Sequence, residues 1–322
     1  MPRPAYPKTL LEFQQMFPDE MHCEAYLMSL RWPEGFRCAQ CGHAKVWNHP
    51  RRLVECAQCG RQSYLTAGTI MHRTHTPLLT WFYGAFLVTT LTPGISGVQF
   101  QKQVGLKRNE TAFQILHKLR AGMVDPERGK LQGIAELDET MIGGVRKGGK
   151  GGRNTATRTI VVGAVEVRTK GNGQRYAGRL RLRAIAQANA DDLEAFAVDA
   201  IEPNTEVRTD GWRGYWNLSK HGLKHVKVTQ GSPENAAKIL PLIHREFSNL
   251  KTWLEGTHHG RVERHHLQAY LNEFVFRHNR RFWPFSAFQT VLRLGMDQAS
   301  PTYEQLYAAT GLGRGVHPGG HS

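Results

Sequence analysis

Two aspartates in this chain stand where a carboxylate could hold a metal ion. Asp138 lies in Ile134-Ala-Glu-Leu-Asp-Glu-Thr-Met-Ile-Gly-Gly144, and Asp210 lies in Val207-Arg-Thr-Asp-Gly-Trp-Arg-Gly-Tyr-Trp216; each follows a short strand-like run. Two carboxylates on neighbouring strands, with a third ligand from a helix, can hold two Mg²⁺ (or Mn²⁺) ions for in-line phosphoryl transfer. The sequence therefore predicts a two-metal site, and the Trp/Tyr cluster after Asp210 would wall it.

Neighbouring acids compete with Asp138 for the role of ligand. In an extended strand Glu136 and Asp138 share one face, whereas Glu139 points to the other. The short aspartate side chain beside the strand end suits rigid metal ligation, so we expect Asp138 to be the ligand. Asp210 could also cap a helix that we expect to begin near Trp212, and this role is compatible with metal binding.

The third ligand is expected on a helix that contains His244 and Lys251. Residues seven apart lie about 20° apart around a helix, so these two side chains share one face. If Lys251 approaches a DNA phosphate near the active site, His244 is placed to complete the metal site, although imidazole is a softer ligand for Mg²⁺ than carboxylate. Glu246, Asn249 and Glu273 remain open as alternatives.

Four of the five cysteines form two knuckles, Cys38-Ala-Gln-Cys41 and Cys56-Ala-Gln-Cys59, separated by fourteen residues. Each knuckle brings two thiolates into one turn, so the pair can complete a tetrahedral four-cysteine Zn²⁺ site. Such a site has no open coordination position, and this predicts a structural zinc that folds the module. Cys23 is expected to be a half-buried small hydrophobic side chain and not a ligand.

The chain is strongly basic, with a formal net charge of +15 over 322 residues. Such a charge indicates a polyanionic partner, double-stranded DNA in the first place. From Val145 to Arg183 there are eleven Lys and Arg against one acid, Glu166. We favour phosphate contact for this segment over a merely solvated basic face.

The sequence shows no apolar leader, and its longest apolar run, Trp81–Val88, is far too short to span a bilayer. We therefore expect a cytoplasmic, nucleoid-associated protein without a membrane partner. Five cysteines in such a protein indicate metal ligands or free thiols, not disulfides.

The pattern of elements predicts several modules. Helices are expected at about 9–30 and 77–91, followed by a helix, a turn at Gly105 and a second helix capped near Asn109, which fits a helix-turn-helix. From Ile134 onwards three strands, then helix and strand in alternation, then a long helix predict an α/β, ribonuclease-H-like mixed-sheet catalytic domain. The expected domains are an N-terminal helical segment (1–35), a zinc ribbon (36–66), a helix-turn-helix-like region (77–122), the catalytic domain (132–295) and a tail (296–322).

Four segments taken in order resemble the bacterial insertion-sequence transposases of the DDE type that carry a zinc ribbon. They are Glu136-Leu-Asp-Glu-Thr, Arg208-Thr-Asp-Gly-Trp, Asn249-Leu-Lys-Thr-Trp-Leu-Glu-Gly-Thr-His-His259 and Tyr270-Leu-Asn-Glu-Phe-Val-Phe-Arg-His-Asn-Arg-Arg281. The resemblance implies a ribonuclease-H-like core, Mg²⁺ dependence, recognition of terminal inverted repeats and a multimeric synaptic complex. The usual pattern has Glu seven residues before a Lys; His244 at that place is a departure that resembles a subset of the family.

Strand cleavage and strand transfer at the element ends are the function that these observations predict. The alternatives are a zinc-ribbon regulator without catalysis and a related metal-dependent nuclease. Trp253 is expected either to stack on an unpaired base or to lie in the core. The other expected DNA contacts are Lys107, Arg108, Arg146, Lys147, Lys150, Arg153, Lys251, His258, His259, Arg277, Arg280 and Arg281.

Overall fold

The computed structural model describes residues 4–143, 158–228, 239–259 and 262–307. The chain forms two compact units. The first contains the residues up to Glu127 together with Phe276–Thr302, and the second contains Arg128–Val275 and the chain from Tyr303 onwards. The chain thus leaves the second unit at Val275, whereas the sequence suggested a catalytic domain that continues to residue 295.

The first unit is built on a helical core. The segment expected to form one helix from 9 to 30 forms two, because Pro18 interrupts it and Asp19 caps the second helix by accepting the His22 N–H. Phe13, Phe82 and Phe288 are fully buried in this core. The helices are α1 (Leu10–Met16), α2 (Glu20–Arg31), α3 (Leu78–Thr90), α4 (Gly97–Gln103), α5 (Asn109–Ala121) and, late in the chain, α9 (Ser286–Met296).

The cysteine-bearing segment of the first unit is a small antiparallel sheet of β1 (Val46–His49), β2 (Leu53–Cys56) and β3 (Gln62–Tyr64). Helices α4 and α5 follow later and are joined through Gly105, whose φ of +67° is a conformation that glycine adopts without strain. A capping box between Ser96 and Gln99 fixes the start of α4. The helix, glycine turn and helix expected there are present.

The second unit contains a five-stranded mixed sheet, in the order β6-β5-β4-β7-β8. Strands β4, β5 and β6 are antiparallel neighbours, whereas β7 and β8 run parallel to β4. The bounds are β4 (Ile134–Ile142), β5 (Thr159–Thr169), β6 (Arg175–Ile185), β7 (Glu206–Thr209) and β8 (Lys224–Lys227).

Helices cover both faces of this sheet. Helix α6 (Ala190–Ala200) packs on one face through Leu193 and Phe196. The other face is covered by α7 (Pro241–His258) and α8 (Leu267–His278). Their Phe247 and Leu271 belong to one hydrophobic cluster with Val161 and Leu180 of the sheet. A short α10 (Tyr303–Tyr307) follows.

One expected helix takes another form. The segment after Asp210 forms two short 3₁₀ turns, Arg213–Tyr215 and Leu218–His221, instead of a helix that begins near Trp212. Gly214 and Gly222 weaken helix propagation there. The helix expected from about Pro233 begins at Pro241 among the described residues. Every described helix is too short or too polar to cross a bilayer.

Candidate metal centres and active site

The four knuckle cysteines converge on one point in the first unit. All four sulfur atoms lie within 4.8 Å of one another, with Sγ–Sγ distances of 3.6 Å for Cys38–Cys59 and 3.5 Å for Cys41–Cys56. A tetrahedral site with Zn–S bonds of about 2.3 Å has sulfur atoms about 3.8 Å apart. The cluster therefore fits Zn²⁺ and contains the four cysteines expected to bind it.

The knuckle backbone favours the thiolate form that zinc requires. The backbone N–H groups of Cys41 and Gln40 lower the pKa of the Cys38 thiol to about 6. The N–H groups of Cys59 and Gln58 likewise lower the pKa of Cys56. The His43 N–H lowers the pKa of Cys41, but burial and the hydrogen bonds with the other cysteines raise it to about 12. Four cysteines around one point leave no open position, which fits a structural zinc site. Cys23 is fully buried in the helical core, deeper than the half-buried position expected from the sequence.

In the second unit, the strand register brings the two aspartates to the same level. Strands β4 and β7 are parallel neighbours in which Glu136 pairs with Arg208. Two residues further along each strand are Asp138 and Asp210, the latter just beyond the end of β7. Side chains alternate along β4: Ala135 and Leu137 face α6, whereas Glu136 and Asp138 face α7. The alternation expected from the sequence is therefore present.

Helix α7 lies unusually close to the sheet beside Asp138. Gly163 on β5 is the register partner of Asp138, and a Cβ on it would come within 2.8 Å of the Phe247 ring of α7. Glycine at this position therefore lets Phe247 sit directly on the strand. This close approach brings the side chains of the first helical turn within reach of β4.

The carboxylate of Glu136 anchors the start of α7. Its Oε2 accepts the backbone N–H groups of Leu242 at 2.8 Å and Ile243 at 2.9 Å, which are among the donors that a helix leaves unpaired at its N-terminus. Glu136 is buried, and this burial raises its pKa although the two N–H groups act in the opposite direction. The anchored residues immediately precede His244.

His244 meets Asp138 directly, with 2.8 Å between Nε2 and Asp138 Oδ2. This hydrogen bond raises the pKa of His244 above its usual value; partial burial lowers it, and the charges of Glu136 and Asp210 raise it further. Asp138, His244 and Lys251 line the same open pocket. The structure thus places His244 and Lys251 on one face of α7, as their spacing predicted.

The other proposed third ligands lie outside this pocket. Glu246 is buried on the packed face of α7 and accepts a hydrogen bond from Asn249 Nδ2 at 3.3 Å. Glu273 on α8 is completely buried. The pocket lining consists of Asp138, Glu139, Thr140, His244, Phe247, Ser248 and Lys251.

Asp210 is exposed, and its Oδ1 accepts the Trp212 N–H at 2.9 Å. This contact closes a local turn; it is not the helix cap considered from the sequence, because Trp212 holds the N-cap position of the following 3₁₀ turn and no side chain caps it. Asp138, Asp210 and His244 do not form a group with all ligand atoms within 4.8 Å of one another; in the described part of the chain, Glu263, His265 and His266 form such a group besides the cysteines. The charge of Asp210 contributes to the raised pKa of His244, after the hydrogen bond to Asp138 and the charge of Glu136.

Glu139 is a further member of the site that sequence reasoning assigned only to the opposite face. It accepts a hydrogen bond from the buried Tyr215 hydroxyl. Burial raises the pKa of Glu139 to about 7; the Tyr215 hydrogen bond opposes this shift, and the charges of Asp138 and Asp210 add to it. Its position next to Asp138 was the available signal, but the tyrosine partner lies 76 residues away.

The structure corrects the stacking role expected for Trp253. Its side chain is 8% exposed and packs against Phe274, with 5.7 Å between ring centroids. Leu250, Trp253, Leu254 and Thr257 form a buried stripe at helical spacing, so Trp253 belongs to the core. The base-stacking expectation does not apply to this residue.

The other expected DNA contacts fall into different environments. Lys107 and Arg108 are exposed in the turn between α4 and α5, and His259 is exposed at the end of α7. The His258 ring packs on Tyr270, with 4.1 Å between ring centroids. Lys251 lines the pocket of Asp138 and His244, whereas Arg146, Lys147, Lys150 and Arg153 lie outside the described residues.

The arginines near the end of α8 are largely engaged within the first unit. Arg277 donates to the backbone carbonyls of Val88 and Leu91. The Arg280 guanidinium lies 3.9 Å from the centroid of the Phe276 ring, and burial lowers its pKa to about 10. Arg281 donates to the His278 carbonyl at 2.8 Å. These contacts give the three arginines structural roles that the sequence did not indicate.

Part of the basic segment before Arg183 is also used internally. Glu166 is fully buried and pairs with Arg168 at 2.9 Å and Arg179 at 2.6 Å. Although burial raises the pKa of Glu166, the hydrogen bonds from Arg179 and Arg168 lower it to about 2. Arg183 pairs with Asp199. The charge count therefore overstated how many of these cations face a partner.

Comparison with known proteins agrees with this arrangement. The family model of the ISXO2-like transposase domain matches residues 130–279, and that of the transposase zinc-ribbon domain matches residues 18–62. None of the curated proteins matches the chain. The first match covers Asp138, Asp210, His244 and Lys251, and the second covers the four cysteines. With its zinc ribbon, mixed sheet and flanking helices, the chain belongs to the DDE-type insertion-sequence transposases.

Proposed function

We propose that this transposase binds the terminal inverted repeats of its element and cleaves and joins DNA strands at the site of Asp138, Asp210 and His244. The observation that supports the proposal is the 2.8 Å contact between Asp138 and His244 in a pocket that also contains Lys251. These residues come from a strand and a helix far apart in sequence. A DNA-binding regulator would not need this convergence.

The donor set fits Mg²⁺ or Mn²⁺. Two aspartates offer hard oxygen ligands, and His244 offers one nitrogen. Metal ions held there would activate the attacking oxygen and stabilise the leaving one. Asp138 and His244 hold each other in position across the pocket, and Glu136 fixes the helix that carries His244.

Besides the metal ligands, the reaction needs a contact to the phosphate, and it has two steps, cleavage and strand transfer. The Lys251 ammonium is placed to hold a non-bridging phosphate oxygen at the pocket. Water attacks the phosphorus at the element end, the bond to the 3′ oxygen breaks, and a 3′-OH is released with a 5′-phosphate on the flanking strand. That 3′-OH then attacks a target phosphate, joins the target 5′ end and releases a target 3′-OH.

More than one copy of the chain would hold the two ends of the element in one synaptic complex. Lys107 and Arg108, exposed at the α4–α5 turn, and the zinc ribbon supply candidate end-binding surfaces. The enzyme would act in the cytoplasm, where the nucleoid offers both element and target DNA.

The test is incubation of the purified full chain with Mg²⁺ and labelled DNA that carries the ends flanking its own gene, beside an Asp210→Asn control. Cuts at the element boundary and joined products, both absent with Asp210→Asn, are expected. Cutting without joining would indicate a nuclease. Tight binding without cutting in Mg²⁺ and in Mn²⁺ would indicate a regulator, and would overturn the proposal.

A further inference from the structure

Two exposed indoles follow Asp210 directly. Trp212 is 43% exposed and Trp216 is 53% exposed, whereas Trp253 is buried in the core of the same unit. Large apolar side chains clustered at the surface commonly mark a binding site. These two lie on the turn that presents a catalytic carboxylate.

The turn fixes both indoles in place. The backbone N–H of Trp212 donates to Asp210 Oδ1 at 2.9 Å, which holds the main chain of the turn. The indole Nε1–H of Trp216 donates to the Gly211 carbonyl at 3.3 Å, which holds the ring. A Cβ on Gly214 would lie within 3.0 Å of the Trp212 ring, so this indole packs directly on the backbone. The rings are therefore ordered before any partner arrives, which lowers the entropy cost of binding.

Two cations lie over the ring of the second indole. Lys227 Nζ lies 4.7 Å from the centroid of the Trp216 ring, and the Arg213 guanidinium carbon lies 5.7 Å from it. A nucleotide offers a π-face to the indole and a phosphate to these cations, and the combination of aromatic rings and basic groups is typical of single-stranded nucleic-acid sites. A purely apolar protein surface would leave both cations unmatched.

We propose that Trp212 and Trp216 form a stacking platform that holds an unpaired DNA base next to the scissile phosphate, with Lys227 and Arg213 on the adjoining phosphates. The inference rests on the proposed function and adds a substrate feature to it. The platform takes a base that has left the duplex, so it stabilises DNA opened at the element end. Stacking of one base corresponds to roughly tenfold to hundredfold in affinity.

The test compares single-turnover cleavage of two element ends, one fully paired and one with mismatched pairs at the cleavage site. For Trp216→Ala we expect cleavage of the paired end to slow about tenfold to hundredfold and cleavage of the mismatched end to slow much less. Trp216→Phe, which keeps an aromatic face, should lie near the wild type. Trp212→Ala provides a second variant should Trp216→Ala fold poorly.

Trp47→Ala is the matched control, because it removes an exposed indole that also has a lysine 4.7 Å from its centroid. Whatever its effect on end binding, its ratio of rates between the two substrates should equal that of the wild type. A wild-type ratio for Trp216→Ala and Trp212→Ala, while the wild-type enzyme cleaves normally, would overturn the platform alone. Absence of cleavage by the wild type would instead count against the proposed function.

A direct binding measurement separates stacking from catalysis. 2-Aminopurine placed beside the cleavage site reports unstacking, and the Asp210→Asn variant binds without cutting. The 2-aminopurine fluorescence should change when the DNA binds the Asp210→Asn variant. It should not change when the DNA binds the double variant that also carries Trp216→Ala. The same signal in both variants would mean that the base is not held by Trp216, and that the exposed indoles serve another partner.

Discussion

The zinc ribbon and the pocket of Asp138 and His244 differ in how their candidate metal ligands are brought together. The ribbon takes four identical soft ligands from two local turns, and its sulfur atoms lie within 4.8 Å of one another. The candidate ligands of the second unit come from β4, the end of β7 and α7, and the pocket that Asp138 and His244 line is open to solvent. A closed set of local ligands gives stability, whereas an open set from distant elements leaves room for a substrate.

The difference also concerns what holds the ligands. In the ribbon, knuckle N–H groups next to the thiols supply the support. In the pocket, the support comes from Glu136 on the helix start and from Gly163, which admits Phe247. Changes in the ribbon should therefore affect folding of a module, and changes in the pocket should affect chemistry.

The largest expected effect separates chemistry from binding. Asp138→Asn removes a charged ligand but keeps the size of the side chain, so cleavage of the element end should fall by at least about 10³-fold. Affinity for the uncut end, measured by gel shift, should stay within about twofold. Loss of binding along with cleavage would show that Asp138 supports the fold instead of the reaction.

The second effect should be confined to the ribbon. Replacing Cys38 and Cys56 by Ser removes one ligand from each knuckle, so zinc measured by metal analysis should fall from one equivalent to none. Affinity for the element ends should drop, while thermal unfolding should still show a folded catalytic unit. Unchanged zinc content and unchanged affinity would contradict the ribbon assignment.

A smaller effect tests the anchor of α7. Glu136→Ala leaves two N–H groups of the helix start unpaired in a buried place, which should cost about 2–4 kcal/mol of unfolding free energy. Glu136→Gln keeps an acceptor oxygen and should cost about 1 kcal/mol or less. Denaturant unfolding measures both, and cleavage should follow the same order. Equal stability of the two variants would show that the carboxylate does not hold the helix.

Regular patterns in the sequence predicted much of the fold. The alternation in β4 gave the strand from Ile134 to Ile142, and cysteine spacing gave all four zinc ligands. The period of α7 placed His244 on the same face as Lys251. The same helix contains the buried stripe of Leu250, Trp253, Leu254 and Thr257, so the core is the one of the two expected environments in which Trp253 lies.

The remaining features depend on partners that are distant in sequence. Tyr215 meets Glu139, and Arg179 meets Glu166, only after the sheet has formed. Neither pairing has a local sequence pattern. The basic segment was therefore predicted to face a partner, and Glu139 was not assigned to the site. The segment after Trp212 forms 3₁₀ turns where a helix was expected. Gly214 and Gly222 weaken helix propagation there, and a cap at Asp210 would not offset this.

The assignment of His244 as the third metal ligand of the open site can be tested directly. Cleavage of the element end should be measured for His244→Ala, His244→Glu, Glu246→Gln and Asn249→Ala over a range of Mg²⁺ and Mn²⁺ concentrations. We predict that His244→Ala loses at least about 10²-fold activity, whereas His244→Glu retains activity because it replaces the imidazole by a harder ligand. Full activity in His244→Ala together with loss in Glu246→Gln would contradict the account and move the third ligand to the buried face of α7.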